Sequence, residues 1–131
     1  MAFSHPIEVR FRDLDALGHV NNAVLVTYLE IARTAWWRQH LAGRPFQEDG
    51  YLVARVEIDY RKPVKLEDPV VVEIRVPQVG ASSFSLDYKI RRGADGVVLA
   101  EGQTVQVFMD FRTDRPRPAK PETVAWLRTQ A

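Results

Sequence analysis

The stretch "NAVLVTYLEIARTAWWRQH", residues 22–40, limits what this chain can fold into more than any other. Leu25, Tyr28, Leu29, Ala32, Ala35 and Trp36 recur at three- and four-residue steps, the spacing of one helical face. Val24, Val26, Ile31 and Trp37 widen that face well beyond a stripe. A helix apolar on most sides belongs inside something. At about 1.5 Å per residue it is roughly 27 Å long, enough to cross a small domain. Gly43 and Pro45 end it.

Nearly everything else reads as strand. Ile7, Val9 and Phe11 alternate with charged residues ahead of the helix. After it come Ala54, Val56, Ile58 and Tyr60, then Val70, Val72, Ile74 and Val76 up to Pro77. Phe84, Leu86, Tyr88 and Ile90 follow, and Val105, Val107, Met109 and Phe111 close the series. The segments "RKPVKLEDP", "VGASS" and "GADG" punctuate these strands as turns. Strands with one apolar face want an antiparallel sheet, and a single long apolar helix is available to cover it. The expected architecture is therefore α+β, a curved antiparallel sheet wrapped around a central helix, with the first strand preceding that helix. One domain spans residues 1–131, its tail from 113 a proline-rich connector and a short helix that docks Trp126 and Leu127. Such a sheet has two open edges, which invite pairing with a second copy.

Composition excludes several functions. The chain is 46% hydrophobic and 27% charged, as expected of a globular protein. Its net charge of +1 comes from 18 basic and 17 acidic residues, without the basic excess of a nucleic-acid binder. It has no cysteine, hence no disulfide scaffold, zinc–thiolate site or cysteine nucleophile. His5, His19 and His40 lack metal-ligand spacing, so no metal is expected. There is no phosphate-cradling glycine loop and no G-x-S-x-G elbow around Ser82, Ser83 and Ser85. Without a signal-peptide pattern or an apolar run of about 20 residues, a cytoplasmic protein with no membrane span is expected.

The turn "RDLDALGHVNNA" (residues 12–23) holds two aspartates, a histidine and two asparagines where a strand hands over to the helix. Capping by Asn21 or Asn22 and turn formation by Asp13 or Asp15 account for part of that set. The other reading is chemical. A helix N-terminus presents free N–H groups that can hold an oxyanion. A carboxylate in the same connection can act as general base or attack a carbonyl itself. Asp15 with the amides near Asn21, Asn22 and Ala23 makes such a pair, and acyl transfer to water is the reaction class that fits.

This segment resembles the signature of the hotdog-fold acyl-CoA thioesterases, typified by 4-hydroxybenzoyl-CoA thioesterase and the long-chain acyl-CoA thioesterases. The pattern is a strand, then D-x-D-x-x-G-H/V-V-N-N-A, then a central helix ending in E-x-A-R, here Glu30, Ala32 and Arg33. "DYRKPVKLED" and "GASSFSLDYKI" resemble the strands and turns that follow, so the likeness runs from about residue 7 to 111. It implies a hotdog fold and hydrolysis of an acyl-CoA to free acid and coenzyme A, with no cofactor because coenzyme A belongs to the substrate. Catalysis falls on Asp15 and the oxyanion donor on the amide of Asn22. His19, Asn21 and Asn22 would line the pocket, Asp13 would support the turn, and Ser82 or Ser83 would approach the thioester and pantetheine. The resemblance also implies a homodimer or a dimer of dimers with sites at the dimer interface. Leu25 departs from the pattern, since many relatives carry an aromatic residue there.

Coenzyme A carries phosphates, and Arg61, Lys62 and Lys65 in one turn, or Arg91 and Arg92 at a strand end, are the cations placed to meet them. Two alternatives remain: a non-catalytic acyl-CoA-binding protein, and an acyl-thioester dehydratase using Asp15 with His19.

Overall fold

In the computed structural model, which describes residues 2–131, the apolar segment forms α1 (Asn22–Leu41). Its buried side chains, among them Leu25, Tyr28, Leu29, Ala32, Trp36 and Trp37, follow the expected three- and four-residue rhythm. The helix stops where Ala42 and then Gly43 adopt left-handed backbone, at φ of 50° and 88°. β1 (Phe3–Ile7), β2 (Tyr51–Tyr60), β3 (Val70–Val79), β4 (Ser83–Arg92), β5 (Val98–Asp110) and the short β6 (Arg115–Pro116) pair antiparallel. Their order is β1–β3–β4–β5–β2, with β6 on β5. A second helix, α2 (Pro121–Arg128), buries Leu127 and half-buries Trp126, as the tail's composition predicts.

α1 lies on one face of this sheet. Register places Phe84, Leu86, Tyr88 and Ile90 of β4 beside Gln106, Thr104, Gly102 and Ala100 of β5 on that inner face. Gly102 has a steric reason. A Cβ there would stand 2.7 Å from the Glu57 carbonyl oxygen of the adjoining β2, too close for the two strands to pair as they do, whereas its 3.5 Å to Leu29 Cδ1 would be an ordinary contact. At the far end of α1, Trp37 stacks on Phe84 with centroids 5.6 Å apart, and Trp36 meets Trp126 at 4.9 Å. Each such pair adds about 1 kcal/mol beyond its area burial.

Four expectations shift. The first strand ends at Ile7; Val9 is buried in the connection, and Phe11 lies 81% exposed in a 3₁₀ turn (Phe11–Asp13). The reason is the hold that Arg10 and Asp13 take on one another, which turns the chain out of the sheet. β3 continues through Pro77 to Val79, because an irregularity between Arg75 and Gln78 absorbs the missing N–H.

β5 buries the opposite face from the one its apolar residues mark. Thr104, Gln106 and Phe108 point inward, while Val105, Val107 and Met109 are half-buried outside. The burial of the polar pair is satisfied by hydrogen bonds: Arg33 Nη1 donates to Tyr88 Oη (3.1 Å), Tyr88 Oη meets Thr104 Oγ1 (2.6 Å), and Gln106 Nε2 donates to the Phe84 carbonyl (3.2 Å). Finally, a bulge between Val53 and Arg55 leaves Ala54 exposed. Past it, Val56 and Tyr60 share the inner face with α1 yet stay 44% and 42% exposed, since β2 is the sheet edge beyond the helix.

Asp49, fully buried, ties the C-terminal tail to α1. Its carboxylate accepts from Thr123 Oγ1 (2.5 Å) and Arg117 Nη2 (2.6 Å) and lies 2.7 Å from His40 Nε2. Burial pushes this carboxyl up, but hydrogen bonds from Thr123, Arg117 and His40 outweigh it and hold it below the usual range. Removing one member of a buried ionic cluster costs about 3–5 kcal/mol, so Asp49→Ala should lower the urea midpoint by that equivalent. A depressed carboxyl stabilises above its unfolded value, about 3.9, and the contribution drains as pH falls through the lower folded value. The wild-type midpoint should therefore drop more steeply below about pH 4 than that of Asp49→Asn.

Candidate active site

The 3₁₀ turn and the start of α1 bring the polar residues of the turn together. Asp15 N–H donates to the His19 carbonyl (2.7 Å) and Gly18 N–H to the Asp15 carbonyl (3.1 Å), with Gly18 at φ 79° closing the loop. Leu14 bridges Val20, and His19 bridges Lys65. Val20 N–H donates to the Val64 carbonyl (2.8 Å), which pins this loop to the turn after β2.

A cavity of about 250 Å³ opens there, lined by Asp15, His19, Asn22, Tyr60, Arg61 and Lys62 among others. One oxygen of Asp15, Oδ1, accepts the Leu17 and His19 backbone N–H groups at 2.9 and 3.2 Å. Among the described residues no hydrogen bond reaches Oδ2, so one carboxylate oxygen stays available in an exposed loop.

The helix N-terminus separates the three candidate amides. Asn21 N–H is committed to the Asp13 carbonyl (2.9 Å), and Ala23 N–H to the Asn21 side chain (2.8 Å). The N–H groups of Val24 and Leu25 both reach the Asn21 carbonyl. Asn22 N–H has no acceptor among the described residues and begins the helix on the wall of the cavity. Asn21 is thus the N-cap, and its side chain points its oxygen at the helix rather than into the cavity. Ala23 does not line the cavity described.

Two placements were not legible beforehand. Tyr60, which the alternation marks only as a strand residue, reaches the cavity and donates from Oη to the Asn22 carbonyl at 3.0 Å. Its position at the last inward step of β2 is the signal that a register would have supplied. Ser82 and Ser83 lie at the other end of the sheet: Ser83 pairs with Val107, seven positions along β5 from Ala100, the partner of Tyr60. At about 3.3 Å per residue that is roughly 23 Å, too far to share Asp15's cavity within one chain.

The cations differ too. Arg61 is partly neutralised by Glu101 (3.3 Å) and Asp59 (3.7 Å), whereas Lys62 has no carboxylate within ion-pair distance among the described residues. Arg91 and Arg92 face Glu73, Asp68 and Asp95 and line no part of this cavity. A larger hollow of about 460 Å³ on the outer sheet face is lined by polar side chains that pair with one another, Arg75 with Glu73 along β3 and Gln103 with Asp87 across β5 and β4. No cluster of side chains fit to hold a metal ion occurs among the described residues, and no helix is long and apolar enough to cross a membrane.

A sheet curled over one central helix, with a carboxylate loop at the helix N-terminus, defines the hotdog architecture of thioester-processing proteins. By its sequence the chain belongs to the thioesterase-like superfamily, whose pattern matches residues 9–127. It is 30% identical over 114 residues to the long-chain acyl-CoA thioesterase FadM of Escherichia coli, covering 83% of this chain and 84% of that protein. A thioesterase of Thermus thermophilus, solved with coenzyme A and zinc, superimposes with TM-score 0.86 at 35% identity over 97% of this chain and 92% of the other. A predicted thioesterase of Bacillus stearothermophilus reaches TM-score 0.92 at 26% identity, covering 100% and 97%.

The N-cap assignment has a measurable consequence. Asn21→Ala should lower stability by about 1 kcal/mol, while Asn21→Asp should hold it within a few tenths. Urea unfolding of the three proteins compares them directly.

Proposed function

We propose that this chain hydrolyses acyl-CoA thioesters, with Asp15 as the catalytic carboxylate and the Asn22 amide as oxyanion donor. The observation that carries this reading is their shared cavity: a carboxylate with one uncommitted oxygen, and an uncommitted helix N-terminal N–H, on the same wall system. Membership of the thioesterase-like superfamily supports the reaction class.

The chemistry follows from those two groups. With Asp15 as general base, it takes a proton from water as the water oxygen bonds to the thioester carbon. The carbonyl oxygen becomes an oxyanion at the Asn22 N–H, where the helix dipole also favours negative charge. Collapse breaks the C–S bond, and coenzyme A leaves as thiolate or takes the proton back from Asp15. With Asp15 as nucleophile, its oxygen bonds to that carbon, the thiolate leaves, and water then cleaves the mixed anhydride. Both routes place the oxyanion at the same donor.

Lys62, and Arg61 to the extent its carboxylate partners release it, face the phosphates of coenzyme A at the cavity mouth. The site is completed by a second copy. β2 is an edge of the sheet, and its inner-face residues Val56 and Tyr60 stay partly exposed. Antiparallel pairing of two β2 strands would bring the Ser82–Ser83 end of one chain toward the Asp15 end of the other, which accounts for the separation of these residues within one chain.

The test is thiol release from acetyl-, hexanoyl-, palmitoyl- and benzoyl-CoA. The wild type should turn over at least one, and Asp15→Asn should lower kcat by about 10²–10⁴ while remaining folded. Lys62→Ala should raise KM more than Arg61→Ala does, with kcat retained in both, because these cations act on binding distant from the reacting carbon. A wild type that binds these esters without turnover would establish the binding-protein alternative instead. Sedimentation equilibrium should return at least twice the chain mass; a concentration-independent monomer would remove the shared site.

A further inference from the structure

Asp13 is more deeply buried than a turn-forming aspartate needs to be. Its side chain is 2% exposed, and both carboxylate oxygens are engaged. One accepts the Arg10 backbone N–H (3.0 Å) and the Tyr28 hydroxyl (2.6 Å); the other accepts Arg10 Nη2 (2.9 Å). The main chain of the same residue is held as well. Asp13 N–H donates to the Arg10 carbonyl, and the Asp13 carbonyl accepts the N–H of Asn21, both at 2.9 Å.

Asp13 therefore grips α1 twice, at its second turn through Tyr28 and at its N-cap through Asn21. Asn22 follows Asn21 directly, and Asp15 lies two residues beyond Asp13. We propose that Asp13 and Tyr28 form a clamp that fixes the Asp15 loop against the Asn22 amide, making both of them positioning residues for hydrolysis. This rests on the reading of Asp15 and Asn22 given above.

The physical basis is geometric. Asp15 sits in an exposed turn, and among the described residues its own hydrogen bonds run only to Leu17, Gly18 and His19 within that turn. A misplacement of about 1 Å at a reacting group can cost on the order of 10²-fold in rate. Burial alone would push the Asp13 carboxyl up, but hydrogen bonds from Arg10 and Tyr28 outweigh that and hold it below the usual range. Burial and the neighbouring carboxylate push the Tyr28 phenol above its ordinary value, so it stays a donor throughout the working pH range. The clamp has a fixed donor and a fixed acceptor.

The experiment removes one oxygen. Tyr28→Phe keeps the ring that packs in the core, and kcat is measured on the best acyl-CoA of the panel, per binding site counted by calorimetric titration with coenzyme A. At least a ten-fold loss of kcat is expected, with KM within two-fold. Thr123→Val, at the opposite end of α1, controls for stability: it should lower the urea midpoint and leave kcat per site unchanged. Single-turnover rates of Asp15→Asn and of Asp15→Asn/Tyr28→Phe complete the cycle, and the two should agree within two-fold, because a clamp that acts through Asp15 has nothing left to place.

Wild-type kcat in Tyr28→Phe, alongside an inactive Asp15→Asn, overturns the clamp alone. The same factor lost with and without Asp15 also overturns it, since Tyr28 then acts by another route. Wild-type kcat in Asp15→Asn overturns the catalytic reading and the clamp with it.

Discussion

Trp36 and Trp37 lock the far half of α1 between the sheet and the C-terminal helix, and this packing decides where the other end of α1 comes to rest. Both rings are fully buried, and both ring N–H groups are satisfied, Trp36 by Gln130 and Trp37 by the Asp49 carbonyl. A helix held this way cannot slide or rotate without opening the core. Its N-terminus, with the uncommitted Asn22 amide, becomes a fixed point against which a carboxylate can be placed. Gly102 contributes to the sheet under the helix by letting β2 pair with β5, as a Cβ there would collide with the Glu57 carbonyl.

The two ends of α1 use buried carboxylates for different ends. Asp49 collects His40, Arg117 and Thr123 around one acceptor and so attaches the tail. Thr123 Oγ1 donates straight to Asp49, which leaves its hydroxyl engaged and makes this a structural cluster despite its Asp–His–Thr composition. Asp13 gathers Arg10 and Tyr28 around one buried carboxylate beside the cavity, whereas Asp15 lies exposed and, among the described residues, keeps one carboxylate oxygen without a hydrogen bond.

Much of this was legible in the residues. The rhythm of Leu25, Leu29, Ala32 and Trp36 defines α1, and the alternation in β4 names its inner face correctly. The tail helix that docks Trp126 and Leu127 after a proline-rich connector follows from the sequence as well. In β5 the rule misleads. Val105, Val107 and Met109 look like the core face, yet Thr104 and Gln106 are buried, because the Tyr88 hydroxyl and the Phe84 carbonyl of β4 supply their hydrogen-bond partners. Those partners are 16 or more residues away in sequence, so no local pattern announces them. Phe11 is misread for a related reason: the alternation continues to it, but the Arg10–Asp13 contacts turn the chain first.

The candidate site divides the same way. The sequence alone determined which groups are available: Asp15 in a turn before a helix, asparagines suited to cap it, and basic residues after β2. Tertiary structure alone decided which of them meet. It made Asn21 the cap and left Asn22 as the open donor, carried Tyr60 into the cavity, and set Ser82 and Ser83 at the far end of the sheet. The physical reason is that residue type sets chemical capacity locally, whereas register and helix packing set distance, and both depend on contacts made far along the chain.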